Sequence, residues 1–324
     1  MPMRVPLAHP FCRPLMTDEQ IESFVEGVLE ISDSRKKRHA IKKIKTVEKD
    51  ALDSLNRSTL SNQADWDHRY RDDPSKREKL RAQIVDELYT LERLDDDDSI
   101  RIKYGGAAPK IHKRDGIALL IIGLPASGKS NIINTVAEAY GAYVLDADYA
   151  KRKLPEFKNN LSGATLVHEE SDALVFNYSN NKKEQINLLA RCIEGKNNIV
   201  MPKVGQNVNS ILNLAKILKH KGYSVYLISI DLDRQKATIR AYERFIKTKR
   251  YVPLSLIFDS YGNEPSLNYF KIKQLRALGW EVFSGFAQIS TDCNNIGESI
   301  LLEAEGFDKL SEIYGGLNKC KQLN

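Results

Sequence analysis

A glycine-rich stretch, Gly123–Ser130, constrains the fold of this chain more than any other part of its sequence. It fits the pattern G-x-x-x-x-G-K-[ST] without a mismatch. The apolar run Ile117–Ile122 precedes it and predicts a buried strand, and apolar residues at helical spacing follow it from Ile132. Strand, glycine loop and helix are together the context that this motif needs for phosphate binding. The sequence therefore predicts a phosphate site here, and the alternative is a purely structural glycine turn.

The residue types of this stretch suit the phosphates of a nucleotide. Glycines leave the backbone amides open to a ligand, and the following helix N-terminus adds positive potential. We expect Lys129 to lie along the β- and γ-phosphates and the Ser130 hydroxyl to hold Mg²⁺. The expected nucleotide-binding residues are Gly123, Pro125, Ala126, Ser127, Gly128, Lys129 and Ser130, with Ser130 also the metal ligand.

Composition narrows the class of protein. The chain has 324 residues, of which 42% are hydrophobic, and no apolar run approaches the eighteen residues of a membrane span. The N-terminal residues lack the continuous apolar core of a secretory signal. The cysteines lie far apart, which predicts a reduced, cytoplasmic protein without structural zinc; they are Cys12, Cys192, Cys293 and Cys320.

Charge is distributed unevenly along the chain. Basic and acidic residues balance within residues 1–110, so the formal net charge of +6 arises entirely in the remainder. A basic half suits an anionic substrate, a nucleotide or a nucleic acid, although a merely basic surface is an equal alternative.

Residues 17–94 are predicted to be helical. Thr17–Gln20 has a capping-box pattern, and apolar residues follow it at helical spacing. A second helix is expected from about Ser34 to Leu55, with a basic face for which solvent exposure is favoured over nucleic-acid binding. Asp73-Pro74 predicts the start of a third helix. The carboxylates of Asp95–Asp98 are expected to mark a helix end, with a metal site as the alternative.

Strand and helix patterns alternate from Gly116 onward, which predicts an α/β fold with a parallel sheet flanked by helices. We therefore divide the chain into a helical region at 1–99 and a nucleotide-binding domain at 100–324, joined by the linker Tyr104–Pro109. The predicted strands are Ile117–Ile122, Tyr143–Leu145, Asn198–Met201, Ser224–Ile230 and Trp280–Phe283, and the last predicted helix is Ile296–Leu310.

Ligands of such a sheet bind beyond the carboxyl ends of its strands, so residues that follow strands are the catalytic candidates. Asp146 and Asp148 follow the second predicted strand. We expect Asp148 to accept the proton of an attacking hydroxyl, and Asp146 to support Mg²⁺ through water or to cap the next helix. Arg240, Arg244 and Arg250 follow the fourth strand and could surround a migrating phosphoryl group with positive charge.

Other polar residues predict the site of the phosphate acceptor. Lys203 closes the third strand and should face the same crevice, while Glu169 or Glu170 could hold a sugar hydroxyl. The chain has no Ser-His-Asp set, zinc spacing or dinucleotide GxGxxG pattern.

These residues resemble the zeta toxin family of P-loop kinases over about residues 100–270. The resemblance rests on Gly123–Ser130, Asp146-Ala147-Asp148, Arg152 with Leu154–Phe157, His168–Ser171, Gly222–Val225, Arg240, Glu243, Arg244 and Arg250–Pro253. It implies a kinase that uses ATP or GTP to phosphorylate the 3′-hydroxyl of UDP-N-acetylglucosamine and thereby poisons the cell. It implies that Asp148 is the base, that Lys129 is the P-loop lysine, and that the arginines at the γ-phosphate match Arg240 or Arg244, together with Arg250; we predict that all of them are catalytic. The residues that we expect to bind the acceptor are Asp146, Arg152, Glu169, Glu170 and Lys203.

The chain departs from this family where Met201-Pro202-Lys203 replaces an acidic Glu-Gly-Thr, and the family's acceptor-contacting glutamate falls near Glu184 or Gln185. Antitoxins of the family are helical and block the nucleotide site, so residues 17–94 could inhibit in cis. Alternatives are a kinase of NAD, an antibiotic or a polynucleotide, and a non-catalytic module that binds partners in response to nucleotide. A membrane partner is not expected, and nucleic acid is disfavoured.

Overall fold

The computed structural model describes residues 15–53, 57–158, 163–176, 187–248, 251–293, 295 and 297–322. These residues form an α/β fold, with a mostly parallel sheet flanked by helices and a helical region before it. The strands are β1 Ile117–Ile122, β2 Tyr143–Val144, β3 Ile199–Lys203, β4 Ser224–Asp231, β5 Gly285–Ser290, β6 Glu298–Glu305 and β7 Cys320–Gln322.

The helices surround this sheet in the expected alternation. They are α1 Asp18–Gly27, α2 Ser34–Asp53, α3 His68–Arg71, α4 Pro74–Thr90, α5 Lys129–Tyr140, α6 Ala147–Lys153, α7 Gly163–Leu166, α8 His168–Phe176, α9 Leu188–Glu194, α10 Val208–His220, α11 Arg234–Thr248, α12 Glu264–Ala277 and α13 Asp308–Tyr314. Short 3₁₀ turns lie at Gln63–Asp65, Asp97–Ser99 and Pro155–Lys158, and Leu256–Tyr261 is π-helical.

The strand order in the sheet is β2-β3-β1-β4-β5-β6-β7. Strands β1 to β5 pair in parallel, as predicted, whereas β6 and β7 add an antiparallel edge. The carboxyl ends of the parallel strands therefore meet along one edge of the sheet. Strand β1 and its glycine loop lie at the centre of that edge, where a ligand of an α/β sheet is expected.

The predicted strand Trp280–Phe283 is wrong, because the strand begins only at Gly285. Helix α12 ends at Ala277, and Gly279, with φ of 93°, turns the chain outward. Trp280 is 51% exposed, so its apolar side chain does not indicate a buried strand here.

The helix predicted over Ile296–Leu310 is also wrong: Ile296 lies outside the described residues, and Glu298–Glu305 is strand β6. Ser299 and Leu301 are buried on one face of this strand with period two. Tertiary pairing overrides the helical pattern here. The backbone groups at the open edge of β5 need hydrogen-bond partners, and β6 supplies them.

The helical region before the sheet is confirmed. Thr17 caps α1 as a capping box, with its hydroxyl accepting from the Gln20 amide at 3.2 Å. Asp73 caps α4, and Pro74 occupies its first turn. The pair α1–α2, which we call the N-terminal hairpin, packs its apolar face against Leu124 of the glycine loop and against α11.

The division of the chain at residue 100 stays a prediction. The core beneath the sheet includes Leu88 of α4 together with Val144 of β2. The predicted linker contributes to this core, since Ala107 is buried and its carbonyl accepts from the Val144 amide at 3.1 Å. Gly106 is required there, because a Cβ would lie 2.1 Å from the Leu91 carbonyl.

Among the described residues, none of the helices combines the length and the apolar character that crossing a membrane would demand.

The hairpin also contacts the segment that follows α11 through a buried carboxyl. Glu48 of α2 is 1% exposed, and it accepts a hydrogen bond from the Tyr251 hydroxyl at 2.5 Å. Burial raises the pKa of Glu48 to about 7, against an ordinary value of 4.5, although the Tyr251 bond opposes the rise. The folded state therefore binds this proton more tightly than the unfolded chain does.

This difference predicts a pH-dependent stability. Glu48 favours the fold below pH 4.5, and its contribution is lost as the pH rises through about 7. We expect Glu48→Gln, which cannot ionise, to recover about 1–3 kcal/mol of unfolding free energy at pH 8 and little at pH 5. Urea unfolding of the variant and the wild type at both pH values measures this change in free energy, and Glu19→Gln, at an exposed position, is the control. A variant that keeps the wild-type pH dependence would contradict the assignment.

Candidate active site

The glycine loop joins β1 to α5 in the arrangement that the motif predicted. Gly128 has φ of 82°, and a Cβ there would lie 3.3 Å from Thr291 Cγ2, so glycine fits both the backbone and the space. The Thr291 hydroxyl donates to the Ser127 carbonyl at 2.8 Å and fixes the loop from the end of β5. Helix α5 begins at Lys129, so its N-terminus faces the loop.

Lys129 lies folded over this loop. Its ammonium donates to the carbonyls of Gly123 at 2.5 Å and Leu124 at 2.6 Å. Burial lowers the pKa of Lys129 to about 7, while the charges of Asp146 and Asp148 oppose the change and Arg244 adds to it. A phosphate in the loop would offer this ammonium a stronger acceptor than two neutral carbonyls.

The two aspartates after β2 differ in environment. Asp146 caps α6, its carboxylate accepting from the Asp148 amide at 2.8 Å, which agrees with the capping alternative. Burial and the neighbouring Asp148 raise the pKa of Asp146 to about 6. The Asp148 side chain is 39% exposed and accepts from Lys151 Nζ at 2.9 Å. Asp148 is thus the more accessible carboxylate of the pair.

A cleft of about 1480 Å³ brings most of the predicted residues together. This volume exceeds that of a typical single-ligand pocket, so it can hold a donor and an acceptor side by side. Its lining includes Pro125, Ala126, Gly128, Lys129, Ser130, Asp146, Asp148, Arg152, Lys203, Arg240 and Arg244.

Two arginines of α11, Arg240 and Arg244, line the same cleft as the aspartates. Arg240 donates to the Thr291 carbonyl at 3.1 Å, which ties α11 to the same residue that fixes the loop. Arg244 lies near enough to Lys129 for its charge to lower the pKa of that lysine. Arg250 lies outside the described residues, as do Glu184 and Gln185.

Arg152 is buried, lines the cleft and connects two segments beside it. Its guanidinium donates to the Asp148 carbonyl at 3.0 Å and to the Asp98 carboxylate at 2.9 Å. The acidic run Asp95–Asp98 therefore reaches the cleft through an ion pair. Among the described residues, no group of three or more His, Cys, Asp and Glu side chains could hold a metal, so the metal alternative for this run has no support.

The structure does not bring Glu170 into the cleft with the other predicted acceptor residues. Glu170 is fully buried outside the cleft, where it accepts from Arg77 Nε at 2.9 Å and from Arg81 Nε at 2.7 Å. Glu156 completes the cluster by accepting from Arg77 Nη1 at 2.8 Å. Glu169 is exposed on α8 and does not line the cleft either.

Sequence reasoning missed several residues of the cleft. Thr291 follows β5, and its position would have marked it if the strand had been placed correctly. Asp172 and Phe176 lie one turn apart on α8 and line the cleft, whereas the neighbouring glutamates do not. The sequence could have indicated these residues, because His168, Asp172 and Phe176 are spaced four residues apart and therefore share one face of α8.

Comparisons with known proteins agree with this geometry. Residues 107–267, about half of the chain, match the family model described as zeta toxin. No curated protein sequence matches the chain.

Three solved structures resemble the chain at low identity. The PezAT toxin–antitoxin system of Streptococcus pneumoniae shows 16% identity over 75% of this chain and 89% of its own, with a TM-score of 0.49. The structure of AvrRxo1-ORF1:AvrRxo1-ORF2 with ATP shows 18% sequence identity over 78% of this chain and 75% of its own, with a TM-score of 0.42. A gluconokinase from Sinorhizobium meliloti shows 15% sequence identity over 56% of this chain and 86% of its own, with a TM-score of 0.29. The family assignment rests on the sequence match alone: through a domain at residues 107–267, the chain belongs to the zeta toxin family of P-loop kinases.

Proposed function

We propose that this chain transfers the γ-phosphate of ATP or GTP to a hydroxyl of a small molecule. The observation that carries the proposal is the pairing of Lys129 and Asp148 in one cleft, close enough for the carboxylate charge to act on the ammonium. One group suits a terminal phosphate and the other suits the proton of an attacking alcohol. Phosphoryl transfer needs both, held on opposite sides of the migrating group.

The donor would bind to the glycine loop. The loop amides and the N-terminus of α5 would surround the phosphates, and Lys129 would exchange its two carbonyl partners for phosphate oxygens. Arg240 and Arg244 would face the same phosphates from α11. Charge develops on the equatorial oxygens during transfer, so two fixed guanidinium groups stabilise the transition state more than the ground state.

The acceptor hydroxyl would lie between the donor and Asp148. As the oxygen attacks phosphorus, its proton would pass to the Asp148 carboxylate, which accepts a hydrogen bond from Lys151. Asp146 would hold Asp148 in position, because its carboxylate fixes the Asp148 amide at the start of α6.

The oxygen donors around the loop fit Mg²⁺. This ion binds through few protein ligands, retains water and contacts substrate phosphates. Ser130 and Asp146 both line the cleft and offer a hydroxyl and a carboxylate. When bound, Mg²⁺ would neutralise part of the negative charge on the phosphates.

For the acceptor we propose the 3′-hydroxyl of UDP-N-acetylglucosamine, whose phosphorylation would be toxic to the cell. This choice rests on membership of the zeta toxin family and on the size of the cleft, which accommodates a nucleotide sugar beside the donor. Transfer of radiolabelled phosphate to this compound, compared with a metabolite extract analysed by mass spectrometry, tests the choice. A different phosphorylated product would replace it and leave the kinase proposal intact.

The base assignment gives one prediction. Asp148→Asn keeps the shape of the side chain but cannot accept a proton at neutral pH, so transfer should fall roughly 100-fold or more. Nucleotide affinity should change by less than about threefold, because the proposal assigns the donor phosphates to Lys129 and the loop and assigns Asp148 to the acceptor hydroxyl. The control is Asp308→Asn, an exposed carboxylate at the start of α13. Transfer near the wild-type rate would exclude Asp148 as the base.

The lowered pKa of Lys129 gives a second prediction. At pH 8 this lysine is mostly neutral in the free protein, and a bound triphosphate restores its charge, so binding should take up about one proton. Calorimetry in two buffers of different ionisation enthalpy measures the uptake. Lys129→Arg stays charged and should bind nucleotide without it. Equal uptake by both proteins would refute the assignment.

Regulation by a helical antitoxin, or by residues 17–94 in cis, is a further part of the proposal. The N-terminal hairpin packs against Leu124, whose carbonyl accepts from Lys129, so it could hold the lysine away from phosphate. Deleting residues 1–99 is a poor test, because it removes Arg77 and leaves Glu156 and Glu170 buried without their cation.

A single substitution in the hairpin is a better test of inhibition in cis. Phe24 of α1 packs edge-to-face on Phe258 at 6.0 Å. If the hairpin inhibits, Phe24→Ala should loosen it and raise turnover several-fold, while Phe24→Leu, which keeps most of the apolar volume, should change it little. Circular dichroism confirms that both variants fold. A fall in turnover would show that the hairpin supports the loop instead.

A further inference from the structure

Two cysteines that lie 27 positions apart in the sequence meet at one end of the sheet. Cys293 follows the last residue of β5 by three residues, and Cys320 is the first residue of β7. Their thiol groups share a side-chain hydrogen bond. Cys320 is exposed and Cys293 is partly exposed, whereas Cys192 is completely buried in the core. Within the part of the chain that the structure describes, these two are therefore the accessible thiols, and they are neighbours.

The register of the last three strands explains how the thiols come together. Ile300 of β6 pairs with Ser290 at the end of β5 on one side and with Cys320 of β7 on the other. Strand β6 runs antiparallel to β5, so its first residue, Glu298, lies near the carboxyl end of β5. The Glu298 carboxylate contacts the Cys320 thiol, and its charge also acts on Cys293. The connection from β5 to β6 thus carries Cys293 past the start of β6 to the edge strand.

The segment that carries Cys293 also fixes the glycine loop. Thr291 lies two residues before Cys293, and its hydroxyl donates to the Ser127 carbonyl at 2.8 Å. The Thr291 carbonyl accepts from Arg240 at 3.1 Å, and the charge of Arg240 acts on the Cys293 thiol as well. A covalent bond from Cys293 to β7 would therefore restrain the segment on which the loop depends.

The contact between the thiols favours a disulfide over a metal site. Thiols beside a carboxylate can bind metal ions. Among the described residues, however, no group of three or more His, Cys, Asp and Glu side chains is arranged to hold one. Two thiols in direct contact already have their side chains directed at each other, which is the geometric condition that a disulfide requires.

We propose that Cys293 and Cys320 form an intramolecular disulfide on exposure to a peroxide, and that this bond braces the segment that holds the glycine loop. The exposed Cys320 thiolate attacks hydrogen peroxide and becomes a sulfenic acid, and the other peroxide oxygen leaves as water. The Cys293 thiol then attacks the Cys320 sulfur, so that the S–S bond forms and the sulfenic oxygen leaves as a second water. Two thiols lose two electrons and two protons, and one peroxide is reduced to two waters. This inference goes beyond the proposed kinase function and does not depend on it.

The surroundings of the pair slow the first step and stabilise its product. Burial and the Glu298 charge raise the pKa of Cys293, although Arg240 opposes the change, and desolvation and Glu298 raise the pKa of Cys320. Neither thiolate is stabilised, so attack on peroxide is slow. For the same reason the reduced form lacks the stabilisation that makes some disulfides strong oxidants. We expect the bond to form slowly and, once formed, to resist mild reduction.

Peptide mapping of the full chain tests whether the bond forms. The protein is treated with hydrogen peroxide, digested without reduction and analysed by mass spectrometry. We expect a linked pair of peptides that contain Cys293 and Cys320, which is lost on treatment with dithiothreitol and is absent from Cys293→Ser and Cys320→Ser. Cys12→Ser removes a thiol outside the described residues, and as the matched control it should keep the linked pair. The oxidised protein should unfold about 3 °C or more above the reduced protein, because the cross-link restricts the unfolded chain.

Hydrogen–deuterium exchange tests the brace. In the oxidised wild type, a peptide that spans Gly123–Ser130 should exchange at least about twofold more slowly than in the reduced protein, because openings of the segment that holds the loop become rarer. A peptide from α10, which packs on β4 and α12, should exchange at the same rate in both forms. Peroxide-treated Cys320→Ser should show no slowing at the loop, which separates the disulfide from other effects of oxidation.

Each other result overturns the inference. Free thiols after treatment, oxidation to sulfinic or sulfonic acid, or links to Cys12 or between chains would show that the two sulfurs do not join. A linked pair with an unchanged or lowered unfolding temperature would show that the bond distorts the fold. A linked pair with unchanged exchange at the glycine loop would remove the brace. The reduced wild type has every native side chain, so the comparison of its two redox states remains decisive even where a serine variant fails to fold.

Discussion

The Arg77 guanidinium is fully buried, and the packing of α7 and α8 beside the cleft depends on it. It joins Glu156 and Glu170, which lie on either side of α7, to helix α4. Two carboxylates buried this deeply would each cost several kcal/mol without a cation, so the lobe cannot pack in this way unless α4 is present. The rings of Trp66 and Tyr70 cover the same guanidinium at 5.5 and 5.6 Å. The helices before the sheet are therefore part of the structure that shapes the cleft.

The parallel sheet explains why residues far apart in the sequence meet in this cleft. Lys129, Asp148 and Lys203 follow β1, β2 and β3, and those strands are neighbours in the sheet although they are not consecutive in the order of the chain. Each strand brings a different group to one edge of the sheet: the Lys129 ammonium, the Asp148 carboxylate and the Lys203 ammonium. Arg240 approaches from α11 and shares Thr291 with the glycine loop, so the donor side is fixed by β5 as well.

The sequence predicted what short-range patterns encode. The glycine motif, its flanking strand and helix, and the aspartates after β2 are local signals, and the structure has them where they were expected. Three other features depend on partners distant in the chain. Strand β6 forms because β5 offers an open edge, and Glu170 turns away from the cleft because Arg77, 93 residues earlier, neutralises it. The apolar side chain of Trp280 suggested a buried strand, but the residue is exposed. Only tertiary packing decides whether a ring beyond a helix end is buried.

The contacts of Lys129 connect the N-terminal hairpin to the chemistry. In this structure the lysine is bonded to the Gly123 and Leu124 carbonyls, and Leu124 is buried in the apolar cluster of the hairpin. A nucleotide bound as proposed would compete with these carbonyls for the ammonium, and a shift of Leu124 would disturb its packing in the hairpin. A change at either end would then be transmitted to the other through one residue, since packed cores adopt discrete arrangements rather than deforming continuously. If nucleotide binds here as proposed, linkage is reciprocal: whatever the hairpin does to nucleotide affinity, nucleotide does equally to the docking of the hairpin.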